Sequence, residues 1–302
     1  MLGKPAAKVA GVGLIAAMLA AGCGGGGESA SGADLSDADF TVGSKDFTEQ
    51  LVLGYITAGA LEAAGASVED QIGLSGTDAT RQALIGGDID MYWEYTGTVW
   101  INHLGNTDPI ADPEEQYIAA RDADLEENQL QLLQPAPLNN TYALAVRSEA
   151  LEEVPALEGV QTLSDVGDVI ENNPDEATIC VESEFNIRDD GLPGMEEAYG
   201  YEFPNDNVQL FDTGVVYTQT DSGENCNFGS VFTTDGRIPA LDLTVLEDDE
   251  NFFPNYNPVL EVREETYGQH GEQLNTRFTP IAEALTNEEM SAMNASVDVD
   301  GE

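Results

Sequence analysis

The chain is 302 residues long and carries 10 lysines and arginines against 57 aspartates and glutamates, a formal charge of −47. A charge of that size repels nucleic acid and anionic lipid headgroups and excludes both as binding partners. Yet 41% of the residues are hydrophobic and apolar runs recur along the whole length, so the acids read as a solvated coat on a folded body rather than as disorder.

Acids in place of lysine also suit a high-salt medium, where self-repulsion is screened. Residues 1–22 read as an address label. Lys4 and Lys8 precede an apolar stretch over 9–21, and Leu19-Ala20-Ala21-Gly22-Cys23 follows. This looks like a bacterial lipoprotein signal peptide, cleaved before Cys23, whose thiol is then acylated; an ordinary secretory leader is the other reading. The stretch is too short to span a bilayer as a retained helix. Gly24-Gly25-Gly26-Gly27 opens a flexible tether over 23–38. The expected location is extracytoplasmic, with the chain lipid-anchored to the cell membrane. Export leaves Cys180 and Cys226 as an even pair in an oxidising compartment, which predicts a disulfide.

Downstream, short apolar runs alternate with helical periodicity, the pattern of an α/β protein. The reading places strands at 39–43, 68–74 and 88–93, with helices at 46–65 and 77–86 between them. The first helix is expected to be capped by Asp46 and Glu49 and to bury Phe47, Leu51, Tyr55 and Ala58. An acidic helix over 113–128 and a strand over 129–134 follow. Pro135-Ala136-Pro137-Leu138-Asn139-Asn140 reads as a crossing into a second lobe. That lobe holds strands at 142–146, 177–181 and 228–233 and helices at 163–171 and 192–199. A return near Arg237-Ile238-Pro239 brings strands at 241–246 and 259–262 back to the first lobe, and a capping box at 286–289 opens the last helix. The predicted domains are therefore 39–140 with 239–302 as a discontinuous lobe I, and 141–238 as lobe II, with a cleft between them.

Lys45 is the only lysine after residue 22. It sits where a strand gives way to a helix, in Gly43-Ser44-Lys45-Asp46-Phe47-Thr48-Glu49-Gln50, well placed to hold an anionic ligand group or to be a solvated amine. Tyr92-Trp93-Glu94-Tyr95-Thr96-Gly97-Thr98 closes the third strand with aromatics that suit either a ligand edge or a core. Asn139-Asn140-Thr141-Tyr142 lies at the first crossing. Arg188-Asp189-Asp190-Gly191-Leu192-Pro193-Gly194 places an arginine before a helix, and Thr234-Asp235-Gly236-Arg237-Ile238 closes the second lobe.

Taken together these segments resemble the glycine betaine, choline and related osmoprotectant-binding proteins of ABC importers, from about residue 39 to the end of the chain. The resemblance implies a two-lobed, type II periplasmic-binding-protein-like fold and a ligand held in the cleft. A trimethylammonium has no N–H to donate, so tyrosine faces are its natural partners. By resemblance the cage is Tyr95, Tyr142 and Tyr217, with Lys45, Thr98 and Arg188 at a ligand carboxylate and Asn140 beside Tyr142. Relatives carry a further aromatic where this chain reads Pro239-Ala240-Leu241, so Tyr256 is the candidate for a fourth wall.

The expected partners are a small quaternary ammonium ligand, an ABC permease and the membrane through the lipid anchor; the chain is expected to be a monomer. His103 and His270 lack metal-ligand spacing and read as surface or packing residues, and no phosphate-cradling loop or serine elbow is present, so neither metal nor cofactor is expected. Two other readings stay open: a binding protein for another zwitterion such as an amino acid, and a secreted enzyme using paired carboxylates.

Overall fold

The computed structural model describes residues 34–106 and 110–301. The leader over 1–22, Cys23 and most of the tether lie outside the described residues. The tether stops short of its predicted end. Leu35 and Ala38 are buried in the first core, and the Leu35 N–H donates to the Ala64 carbonyl at 2.9 Å, because an apolar side chain here finds a hydrophobic surface to cover.

Chain order builds one sheet, then a second, then returns. The first segment runs β1 (Asp39–Lys45), α1 (Thr48–Ala63), β2 (Ser67–Leu74), α2 (Thr77–Gly86), β3 (Met91–Tyr95), α3 (Pro113–Asn128) and β4 (Leu130–Pro135). The second contains β5 (Tyr142–Arg147), α4 (Leu163–Asn172), β6 (Ile179–Val181), α5 (Leu192–Tyr199), β7 (Val208–Leu210), α6 (Thr213–Ser222), β8 (Phe228–Phe232) and β9 (Leu243–Val245). The return supplies β10 (Pro258–Arg263), α7 (Glu264–Ala284) and α8 (Asn287–Asp298). The sheets have the orders β2-β1-β3-β10-β4 and β7-β6-β8-β5-β9. Each has parallel strands on one side and antiparallel partners, β10 in the first and β5 in the second, beside them.

All five residues of β3 are buried, as expected of a central strand covered on both faces. Met91 and Trp93 join Val42, Leu260 and Val262 in a core closed by Leu274, Phe278 and Ala282 of α7. On the opposite face, Tyr92 packs with Leu84, Ile89 and Leu130. In the second lobe, Leu144, Val146, Ile179, Val181 and Phe228 pack against Leu163, Val166 and Val169 of α4 and Leu192 and Met195 of α5.

Four expectations change. The strand predicted at 241–246 belongs to the second sheet, where Leu243–Val245 pairs with β5, so the return lies between Val245 and Pro258 rather than near Pro239. Periodicity reports that a strand exists but not which sheet takes it up. Helix α1 begins after Phe47 with no side-chain cap, and Tyr55 is 60% exposed, because the helix turns Glu49 and Gln50 inward together with Leu53 and Leu61. Thr286 caps α8 by accepting the Glu289 N–H, as the capping motif predicts on that side. Helices α6 and α7 are absent from the sequence reading; α7 is polar on average, and its buried Leu274, Phe278 and Ala282 form a narrow stripe.

Cys180 on β6 and Cys226 ahead of β8 form a disulfide that closes a 46-residue separation. Reduction should lower the unfolding free energy by about 3–4 kcal/mol, from the loop entropy restored to the unfolded chain. Denaturant midpoints with and without reductant check this; coincident curves would count against it.

Candidate functional site

One end of each sheet opens on a shared cavity of about 770 Å³. Antiparallel pairing decides which rings meet there. Tyr142 at the start of β5 is the register partner of Phe232 at the end of β8, and their centroids are 5.0 Å apart. Pro258 is the register partner of Tyr95 at the end of β3, which brings Tyr256 to the same level. Phe47, ahead of α1, stacks at 5.3 Å on Phe232 and at 6.3 Å on Tyr95, and Tyr256 meets Tyr142 edge-on at 5.7 Å. Six aromatic side chains therefore line one cavity, with Phe47 and Tyr95 on the first lobe, Tyr142, Phe211 and Phe232 on the second, and Tyr256 on the return.

Polar groups hold these rings from behind. The Tyr95 hydroxyl donates to Glu49 Oε1 at 2.8 Å, and Asn140 Nδ2 donates to the same oxygen at 3.0 Å. Glu49 Oε2 accepts from Thr234 Oγ1 at 2.6 Å and from Asn294 Nδ2 at 3.2 Å. Burial pushes the Glu49 carboxyl up, against the pull of these four donors. The Tyr256 hydroxyl donates to Asp190 Oδ2 at 2.6 Å, and Asp190 also accepts from Arg188 Nε and Nη2, both at 2.7 Å.

The basic residues of the cavity wall already have anionic partners. Lys45 Nζ donates to Glu94 Oε1 at 2.7 Å, and Glu94 Oε2 also accepts from the Tyr92 hydroxyl at 2.9 Å and meets His103 Nε2 at 3.0 Å. Burial pushes Glu94 up, but the Lys45 ammonium and the His103 contact overcome it and hold the carboxyl well below its usual range. The His103 side chain is 4% exposed, a packing position, and burial pushes its imidazole down, so the neutral ring is favoured. Arg188 also donates to Asn102 Oδ1 at 2.6 Å and Thr98 Oγ1 at 3.4 Å, and its guanidinium lies 5.5 Å from the Tyr142 centroid. Arg237 pairs with Asp235 and Asp298. Asp46, Glu182, Glu184 and Asp212 line the same wall. Glu184 spans the gap, accepting the Thr77 N–H at 2.6 Å and the Thr77 hydroxyl at 2.7 Å at the N-terminus of α2.

Of the residues singled out on the sequence, Lys45, Tyr95, Thr98, Asn140, Tyr142, Arg188 and Tyr256 line the cavity. Tyr217 does not. It is fully buried on the inner face of α6 with Val216 and Thr220, its hydroxyl accepts the Phe232 N–H at 2.9 Å, and Arg237 covers its ring at 4.5 Å. The helix face that packs on the sheet takes this tyrosine away from the cavity, which Phe232 lines. Phe47, expected on the buried face of the first helix, lines the cavity instead, and Phe232 is not among the residues singled out on the sequence. The signal for Phe232 was its position at a strand end ahead of Thr233-Thr234-Asp235-Gly236, the counterpart of Tyr95 ahead of Thr96-Gly97-Thr98.

Two α/β lobes facing each other across a ring-lined cleft define a solute-binding protein of the type II periplasmic class. Residues 38–302 match the family described as the substrate binding domain of the ABC-type glycine betaine transport system. The chain is 38% identical over 266 residues to a glycine-betaine-binding protein of Pseudomonas aeruginosa, covering 86% of this chain and 82% of that one. It is 31% identical to the glycine betaine-binding protein YehZ of Escherichia coli, covering 86% and 85%. Among solved structures, one described as a glycine betaine/carnitine/choline ABC transporter superimposes with a TM-score of 0.68 at 25% identity, covering 87% of this chain and 93% of that one. The chain belongs to this family: it is the extracytoplasmic solute-binding component of an ABC importer, and the enzyme reading is set aside because the family consists of binding domains. Among the described residues no helix is long and apolar enough to cross a membrane.

The Lys45–Glu94 pair yields a prediction about stability. A carboxyl held low in the fold stabilises it above the ordinary carboxylate titration, near ~4.3, and loses that contribution as pH falls through the depressed value. Glu94→Gln leaves the Lys45 ammonium buried and unpaired and should cost about 3 kcal/mol at neutral pH. In denaturant titrations the gap to the parent protein should narrow on acidification. A gap that does not vary with pH would show that the carboxylate's charge is not what matters.

Proposed function

We propose that the cleft captures a methylated quaternary ammonium of the glycine betaine and choline class and that the chain presents it to a membrane permease. The observation that carries this reading is the convergence of Phe47, Tyr95, Tyr142, Phe232 and Tyr256 on one cavity from both lobes. Such a cation cannot donate hydrogen bonds, and each aromatic face in contact with it contributes about 0.5–2 kcal/mol once water is displaced. The charge of the wall agrees, since its basic side chains already hold carboxylates while Asp46, Glu182 and Asp212 face the same space.

In this reading Lys45, which has N–H donors beyond the one given to Glu94, and the Thr98 hydroxyl meet the carboxylate of a zwitterionic ligand, with Asn140 as a further polar contact. Arg188, its nitrogens already engaged by Asp190, Asn102 and Glu184, braces Tyr142 and joins the two lobes. The lobes close on the ligand about the two connections, and Glu184 on Thr77 is one of the contacts that would form on closing. The chain acts as a monomer, tethered through acylated Cys23. A different zwitterion, such as an amino acid, is the second reading, and the acids of the wall that could take an α-ammonium are what favour it.

Calorimetry with glycine betaine, choline, carnitine, proline and an unmethylated amino acid tests the choice. Heat should accompany only methylated ammonium ligands, and a response to the amino acid alone would reverse the assignment. Tyr142→Ala should weaken binding by about tenfold, the equivalent of one lost ring contact and its packing; unchanged affinity would remove that ring from the cage. Lys45→Ala should weaken glycine betaine more than choline, and equal losses would give Lys45 a purely structural role. For the anchor, Cys23→Ser should move the protein from the membrane fraction to the soluble one, and persistence in the membrane fraction would rule out lipidation there.

A further inference from the structure

Six carboxylates are buried among the described residues: Glu49, Glu94, Asp124, Asp190, Asp235 and Glu261. Five have a cationic partner. Glu94 holds Lys45, Asp124 and Glu261 share Arg81, Asp190 holds Arg188, and Asp235 holds Arg237. Glu49 is the exception. Its four hydrogen-bond donors are a phenol, a threonine hydroxyl and two asparagine amides, all neutral.

Glu49 also sits at an informative place. It is 2% exposed and does not itself line the main cavity, but it lies directly behind Tyr95 and Asn140, which do. We propose that Glu49 is the buried counter-charge for the cation of the ligand, a positioning residue that acts through the Tyr95 phenol. The inference rests on the quaternary ammonium reading given above and names the side chain whose charge balances the bound cation.

The physical route is short. A phenol that donates to a carboxylate shifts electron density into its ring and strengthens the negative face that attracts a cation. Burial raises the Glu49 carboxyl, and a cation on the far side of the ring, poorly screened out of water, pulls it back toward the charged form. Tyr256 has the same arrangement with Asp190, but there Arg188 neutralises the acid, whereas the donors to the acid behind Tyr95 are all neutral. Tyr95 already attracts a cation within the chain: the Lys45 ammonium lies 5.5 Å from its centroid. The four neutral donors give Glu49 the hydrogen bonds it needs when buried while leaving its charge for the ligand.

The test separates charge from shape. Dissociation constants are measured by NMR titration, which reaches weak ligands, for choline and its uncharged carbon isostere 3,3-dimethylbutan-1-ol. Glycine betaine and 3,3-dimethylbutanoate form a second such pair. In Glu49→Gln the ammonium-bearing member of each pair should weaken by about tenfold or more, the neutral alcohol isostere should change by about twofold or less, and the anionic butanoate should not weaken. Tyr95→Phe, which keeps the ring and breaks its link to Glu49, should show the same selective loss to a smaller degree. It decides the matter if Glu49→Gln fails to fold. Equal losses for the ammonium ligands and their carbon isosteres, or no loss, would overturn the proposal while leaving the cage intact. If the parent protein ignores both quaternary ammonium ligands, the cage reading and this proposal fall together.

Discussion

Four segments of the chain converge on the carboxylate of Glu49. Tyr95 comes from the end of β3, Asn140 from the first connection between sheets, Thr234 from the loop after β8, and Asn294 from the last helix. Burying a carboxylate is costly unless its oxygens are satisfied, and here no single element could satisfy them. The group is stable in place only when both lobes, the connection and the C-terminal helix are assembled around it. Tyr95 and Asn140, two residues of the cavity wall, take their positions from the same contacts, so the constraint that organises the fold also shapes the cleft.

Scarcity of positive charge explains much of the rest. With 10 basic residues against 57 acidic ones, the chain is strongly acidic, and the basic side chains of Lys45, Arg81 and Arg188 are committed to ion pairs away from solvent. Arg81 bridges Asp124 and Glu261 beneath the first sheet, Lys45 neutralises Glu94 under Tyr95, and Arg188 ties Asp190 to Asn102 across the lobes. Pairs of this kind add little net stability over apolar packing, but breaking one leaves an isolated charge in a dry site. They act as fixed geometry. A cleft whose cations are so engaged and whose wall is ringed with aromatic faces suits a positively charged guest better than an anionic one.

Legibility differed by residue for physical reasons. Lys45 stood out because the chain has almost no other lysine, and its place at the end of β1 followed from a short apolar run giving way to helix. What it touches was not legible, since Glu94 is 49 residues away and reaches it only through the packing of β1 beside β3. Tyr217 had the right residue type in a plausible segment, but helix α6 was not seen, and the face of an unseen helix cannot be assigned. Leu243–Val245 reads as a strand in any context, and hydrogen bonding to β5 rather than to the first sheet is settled by where the chain has already been folded.

The sequence by itself determined the alternation of strands and helices, the position of the first connection, the cysteine pair available for cross-linking, and the tyrosines at strand ends, because each depends on local periodicity or composition. The tertiary structure alone decided the sheet to which β9 belongs, the placement of Tyr217 away from the cleft, and the partners of Lys45, Glu49 and Arg188. Those depend on contacts between segments separated by tens to hundreds of residues, and such contacts exist only after the two sheets have packed and faced one another.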